Sequence, residues 1–124
     1  MIRLLDTNSC IYAFTGLYPS LIAHMADQPA GSLFISAITY AELAYGTARG
    51  KPPPPDALAA FVEEVGILPF DEAAARVYAE IPFRRGSFDR LIAAQALALD
   101  VPLVTRNDKD FADIPGLKVE DWTR

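Results

Sequence analysis

Short apolar runs alternate along the chain with longer stretches whose apolar residues recur at three- and four-residue spacing. The runs at 2–5, 33–35, 67–69 and 103–105, with a weaker one at 117–119, predict strands. Their near-continuous apolarity predicts burial on both faces. The periodic stretches between them predict helices over 9–14, 20–25, 37–49, 56–65, 72–81 and 88–99. Strands alternating with helices predict an α/β domain: a central, mainly parallel sheet of four to five strands flanked by helices on both faces.

Punctuation fixes the limits. Gly50-Lys51-Pro52-Pro53-Pro54-Pro55 fits neither helix nor inner strand, because its prolines lack amide donors and have fixed φ angles, and so predicts a stiff surface connector. Ile81-Pro82 ends one helix, Gly86-Ser87 opens the next with Ser87 as its cap, and Asp100-Val101-Pro102 closes it. No internal repeat interrupts the pattern, so residues 1–124 are read as a single domain.

Composition narrows the function classes. With 52% hydrophobic and 22% charged residues the chain has a globular balance, and 124 residues suffice for a sizeable core. No apolar run approaches the roughly 18 residues that span a bilayer, and the start of the chain turns acidic too soon for a signal peptide. The expected location is the cytoplasm, without membrane association. The lone Cys10 excludes an internal disulfide and reads as helix packing, and the lone His24 reads as a surface residue. One imidazole and one thiol do not make a zinc site, so any metal must be held by oxygen. The net charge of −5 argues against indiscriminate attraction to nucleic acid. Bound divalent ions would offset an acidic cluster locally, and Arg49, Lys51, Arg84, Arg85, Arg90 and Arg106 lie near the acids in sequence.

Those acids stand where the pattern turns from apolar to polar. Asp6 closes the first strand, beyond the carboxyl end where open parallel sheets bind ligands. Capping of the helix near Ser9 explains it equally well. Glu42 shares an apolar stripe with Ile38 and Tyr45, although Thr39 and Glu42 also have the spacing of a capping box. Asp89 opens a helix on the face of Ile92, Ala93 and Ala96, where complementarity to the helix dipole is the alternative. Asp108 lies in Thr105-Arg106-Asn107-Asp108-Lys109-Asp110, a polar turn after a strand in which Asx residues are common. In conjunction, carboxylates from separate segments at strand ends and inward helix positions are what a hard divalent cation requires.

Leu5-Asp6-Thr7-Asn8, Ile35 to Gly46, Phe88-Asp89-Arg90-Leu91-Ile92-Ala93-Ala94-Gln95-Ala96, Leu103 to Asn107 and Gly116 to Trp122, in this order and spacing, resemble a PIN-domain ribonuclease of the VapC toxin type. The resemblance runs essentially end to end. It implies an endoribonuclease dependent on one or two Mg²⁺ or Mn²⁺ ions, acting on tRNA, rRNA or mRNA, forming a homodimer and silenced by a small VapB-like antitoxin. By position it implies Asp6, Glu42 and Asp89 as catalytic acids, Asp6 and Asp89 as metal ligands, and Thr7, Asn8 and Thr105 as polar neighbours.

The fourth catalytic position departs from the family's pattern. The residue two beyond Thr105 is Asn107, leaving Asp108 or Asp110 to replace the charge. The connector from Ile81 to Ser87 is shorter than in many relatives. RNA contacts are expected from Arg84, Arg85, Arg90 and Arg106. Two rivals have a rationale: a phosphoacceptor signalling domain, which also uses an acidic pocket on a parallel sheet, and a catalytically inactive binding domain of the same fold.

Overall fold

The computed structural model describes residues 2–85 and 87–124. Strands β1 (Arg3–Leu5), β2 (Leu33–Ser36), β3 (Gly66–Leu68), β4 (Leu103–Val104) and β5 (Val119–Glu120) form one sheet in the order β3-β2-β1-β4-β5, with every pairing parallel. Around it lie α1 (Thr7–Thr15), α2 (Pro19–Ala26), α3 (Ala37–Ala48), α4 (Pro55–Glu64), α5 (Glu72–Tyr78) and α6 (Asp89–Leu99). A 3₁₀ helix at Asp108–Phe111 follows β4. Among the described residues no helix is long and apolar enough to cross a membrane.

The period of two in each strand divides the core. Leu5, Ile35 and Val104 face a layer with Cys10, Leu21, Leu43, Leu58 and Trp122. Leu4 and Leu103 face the opposite layer with Ile92, Ala93, Ala96, Phe111 and Ile114. The fully buried alanines of α6 let that helix lie close on the sheet. At the sheet edge, a Cβ on Gly66 would come within 2.7 Å of the Phe34 ring, so glycine is what lets that ring lie across β3.

Most helix limits move by one or two residues, and Pro55, expected in the connector, opens α4, where a first-turn proline forfeits no hydrogen bond; two further differences have a specific cause. α5 ends at Tyr78 rather than 81, because the residue before Pro82 is disfavoured in helical geometry; Glu80 and Ile81 donate instead to Val77 and Tyr78 in tightened turns. α6 begins at Asp89, with Phe88 in helical geometry at the cap and no side-chain cap hydrogen bond, so Ser87 is not its cap. Gly86, expected to open that helix with Ser87, lies outside the described residues.

The strand order sets the place for chemistry. From β1 the chain runs to β2 and β3 on one side, then returns to place β4 against the other side of β1. The switch point of the sheet, where doubly wound folds open a crevice, is therefore at the carboxyl ends of β1 and β4.

Candidate active site

Asp6 lies one residue past β1, in that crevice. It is 1% exposed, and its Oδ1 accepts the Ser9 amide at 2.8 Å, so it does cap α1. Capping does not settle its charge, however. Burial pushes its pKa up, hydrogen bonds from Ser9 and Thr105 pull back, and the nearby Asp121 adds to the rise.

Thr7 and Glu42 are joined. The Thr7 hydroxyl donates to Glu42 Oε1 at 2.7 Å, and the Thr39 hydroxyl lies 3.2 Å from Thr7 Oγ1. A carboxylate only accepts, so the single Thr7 proton goes to Glu42, and Thr39 is left to donate into Thr7. The capping-box alternative fails because α3 is capped three residues earlier: Ser36 Oγ accepts the Ile38 amide at 3.0 Å. Tyr45 does not share an inward stripe with Glu42, as it is 62% exposed. Glu42 instead stands half-buried at the boundary of core and solvent, with one oxygen held by Thr7. Asn8 is exposed and borders a small cleft with Thr7, Glu42 and Lys51.

Asp89 reports the electrostatics of the corner. Near the first amides of a helix a carboxylate should be stabilised as an anion. Its pKa is nevertheless raised to about 6, first by burial and then by the charges of Asp6, Glu42 and Asp110. Burial, reinforced by the neighbouring like charges, therefore outweighs the helix dipole. The same charges place Asp6 just past β1, Glu42 of α3 and Asp110 of the 3₁₀ helix within electrostatic reach of Asp89 at the start of α6.

At the fourth corner, Asp110 rather than Asp108 contributes to the rise at Asp89. In a 3₁₀ turn residues three apart eclipse, so Asn107 and Asp110 share a side, and the Asp110 amide donates to the Asn107 carbonyl at 3.0 Å. The Asn107 amide in turn donates to the buried Thr105 Oγ1 at 3.1 Å. Asp108, Asn107 and Asp110 all border an adjoining cleft of about 500 Å³ that includes Tyr18, Arg106, Lys109 and Asp121.

The donor set fits a hard divalent cation. It is all oxygen, and among the described residues none of Asp6, Glu42, Asp89 and Asp110 pairs with a lysine, arginine or histidine. Nor do three His, Cys, Asp or Glu side chains among the described residues already converge into a cage. Mg²⁺ characteristically takes only one or two protein carboxylates and keeps its waters, so it does not require such a cage.

The basic residues divide. Arg84, Arg85 and Arg106 are exposed, the Arg106 guanidinium lying 5.5 Å from the centre of the Tyr18 ring. Arg90, expected on an RNA-facing surface, is 2% exposed and donates to Pro82, Asp110 and Asp113, so it is not available to RNA. Cys10 is fully buried in the core, which pushes its thiol pKa well up and leaves it inert. His24 is exposed and stacks on Trp122.

Comparison with known proteins agrees with this arrangement. Residues 3–117 match the model of the PIN domain. The chain is 31% identical to the tRNA(fMet)-specific endonuclease VapC of Shigella flexneri over 97% of each chain. It is 33% identical to ribonuclease VapC2 of Rickettsia felis over the full length of both. The fold superposes on the structure of VapBC-1 from nontypeable Haemophilus influenzae with a TM-score of 0.82, at 31% identity and covering 100% of each chain. With its parallel sheet, its acids at the β1–β4 switch point and full-length relatives of this kind, the chain belongs to the PIN domain family, in its VapC-type branch.

Proposed function

We propose that this protein is a metal-dependent endoribonuclease, the toxin of a toxin–antitoxin pair, using Mg²⁺ or Mn²⁺. One observation carries the reading: Asp89, half-buried with Asp6, Glu42 and Asp110 near it and, among the described residues, no cationic partner, has its pKa raised to about 6 by burial and by those like charges. The names of the relatives supply the substrate class, RNA.

Asp6 and Asp89 would hold the ion, with Asp110 at the fourth corner and Asn107 beside it. When bound, a divalent ion supplies Lewis-acid activation of water and offsets charge developing on the scissile phosphate. Glu42, fixed at Oε1 by Thr7, has Oε2 free to orient the attacking water and accept its proton. Thr105 fixes the Asn107 backbone and helps to satisfy Asp6. RNA runs along the adjoining cleft, where Arg106 and Lys109 meet phosphates and Tyr18, held edge-on by Tyr12 at 4.9 Å, offers a base a stacking surface. Arg84 and Arg85 extend the cationic rim. An apolar groove bordered by Ile38, Tyr45, Phe88 and Leu91 opens beside Glu42 and, being the apolar surface nearest the acids, receives the antitoxin. The protein works in the cytoplasm, as a homodimer.

The test is cleavage of purified tRNA, rRNA and mRNA in Mg²⁺ or Mn²⁺. Activity that disappears with a chelator and returns with added ion supports the reading. RNA bound but never cut, under any of these ions, means an inactive binding domain instead. Neither the structure nor the relatives favours the phosphoacceptor alternative.

A further inference from the structure

Asp89 and Arg90 are successive residues at the start of α6, yet their surroundings are opposite. Asp89 lies within the electrostatic reach of other acids, whereas Arg90 is buried with every donor used. Arg90 Nε and Nη2 donate to the Pro82 carbonyl at 3.2 and 2.7 Å. Nη1 and Nη2 also grip the two Asp113 oxygens at 3.0 and 2.9 Å. The remaining Nη1 proton goes to the main-chain carbonyl of Asp110 at 3.0 Å. These bonds account for all five N–H groups of a guanidinium, the condition under which so buried a cation is tolerated.

The three acceptors lie on different segments: the connector before α6, the 3₁₀ helix, and the turn after that helix. Arg90 thus ties the element that carries Asp110 to the helix that carries Asp89. The fork is rigid and its donors diverge at fixed angles, so the tie fixes orientation as well as distance. Asp113 is the counter-ion that keeps the fork in place; the hydrogen bonds from Arg90 hold its carboxyl below the usual range.

We propose that Arg90 is a positioning residue of the metal site: through its bond to the Asp110 carbonyl it holds the 3₁₀ helix so that the Asp110 carboxylate stands opposite Asp89. The inference rests on the metal-ion reading of the acidic crevice. Residues beyond the ligands themselves that fix ligand orientation typically change metal affinity by about 10- to 100-fold when removed.

The experiment measures Mn²⁺ affinity by calorimetry and the Mg²⁺ concentration for half-maximal RNA cleavage, on the full chain and on Arg90→Gln, Asp110→Asn and the double variant. Arg90→Gln is expected to weaken Mn²⁺ binding and raise the Mg²⁺ half-saturation about 10-fold. In the Asp110→Asn background it should add almost nothing, because one route carries both effects. Asp113→Asn keeps Arg90 and its carbonyl contacts, so it should show a smaller shift of the same kind and serves if Arg90→Gln does not fold. Ion affinity unchanged in Arg90→Gln, in Asp113→Asn when the former is unfolded, or additive losses in the double variant, overturn the proposal and leave Arg90 a purely structural clamp. Wild-type protein that binds no Mn²⁺ overturns the metal reading itself, and this inference with it.

Discussion

Arg3 and Asp6, three residues apart at the two ends of β1, are both charged groups shielded by the fold, and they are treated in opposite ways. Arg3 Nε donates to Glu120 Oε1 at 2.8 Å, its Nη1 donates to Gln28 Oε1 at 2.9 Å, and its guanidinium lies 5.5 Å from the Trp122 ring centre. Trp122 Nε1 donates to the same Glu120 oxygen at 3.0 Å. Each charge there has an opposite or a hydrogen-bond partner. Around Asp6 the neighbouring charges are of its own sign, and the pKa values of Asp6 and Asp89 are driven upward. A corner whose charges are matched holds the fold together; one left unmatched costs stability, a cost that the proposed ion would offset.

The most severe way to break this contrast is to remove an acid from the unmatched corner. Asp6→Asn and Asp89→Asn should each lower metal-dependent RNA cleavage about 100-fold or more. Neither should unfold the protein, since Asn still caps α1 at position 6. Asp89→Asn should stabilise the metal-free protein by about 1 kcal/mol, after discounting the raised pKa for solvent screening. Full cleavage in both variants would sink the assignment.

The converse change belongs to the matched corner. Arg3→Ala leaves Glu120 without its cation and strips packing from Trp122, and should cost about 2 kcal/mol in denaturant unfolding. Its Mg²⁺ half-saturation should match wild type. A shift there would show that the two ends of β1 are coupled and that the contrast is false.

pH sharpens the comparison further. Asp89 titrates near 6 in the fold and near the ordinary carboxylate value when unfolded, so between those values the native state holds the extra proton. The stability of the metal-free protein should therefore be highest below about pH 4 as far as this group is concerned, and fall by about 1 kcal/mol as pH rises through 6. Asp6 shifts in the same direction. Saturating Mn²⁺ holds both groups ionised and should abolish the fall; thermal melts across pH with and without the ion measure it.

The placement of Asp6, Glu42 and Asp89 near one another is legible in the sequence because its signals are local. Asp6 follows a run of buried strand residues, Asp89 opens a helix whose apolar face is plain, and Glu42 sits four residues after Ile38. Tyr45 misled, since spacing alone does not show that this end of α3 reaches solvent beside a groove. Which of Asn107, Asp108 and Asp110 lies nearest Asp89 depends on the 3₁₀ geometry after β4, which a turn composition does not encode. Arg90 was out of reach for a different reason: its partners Asp110 and Asp113 lie 20 and 23 residues away, so nothing near it in sequence distinguishes a buried fork from a surface arginine.

Asp100 provides the smallest test, as a charge that is neither matched nor crowded. It ends α6 with φ 56°, its amide donating to Leu97 and that of Val101 to Ala96 in the paired bonds of a Schellman cap. An aspartate there bears the left-handed penalty of an L-residue and sits at the negative end of the helix dipole. Lys118 Nζ, 3.5 Å away with both side chains mostly exposed, offsets little of this. Glycine removes both penalties but gains freedom in the unfolded chain, so Asp100→Gly should stabilise the protein by about 0.5 kcal/mol. Because Asp100 lies at the far end of α6 from Asp89, cleavage and ion affinity should stay at wild-type values. A change in either would mean that the crowding at Asp6 and Asp89 draws on charges along the whole helix, and the unmatched corner would then be larger than the four acids around the β1–β4 crevice.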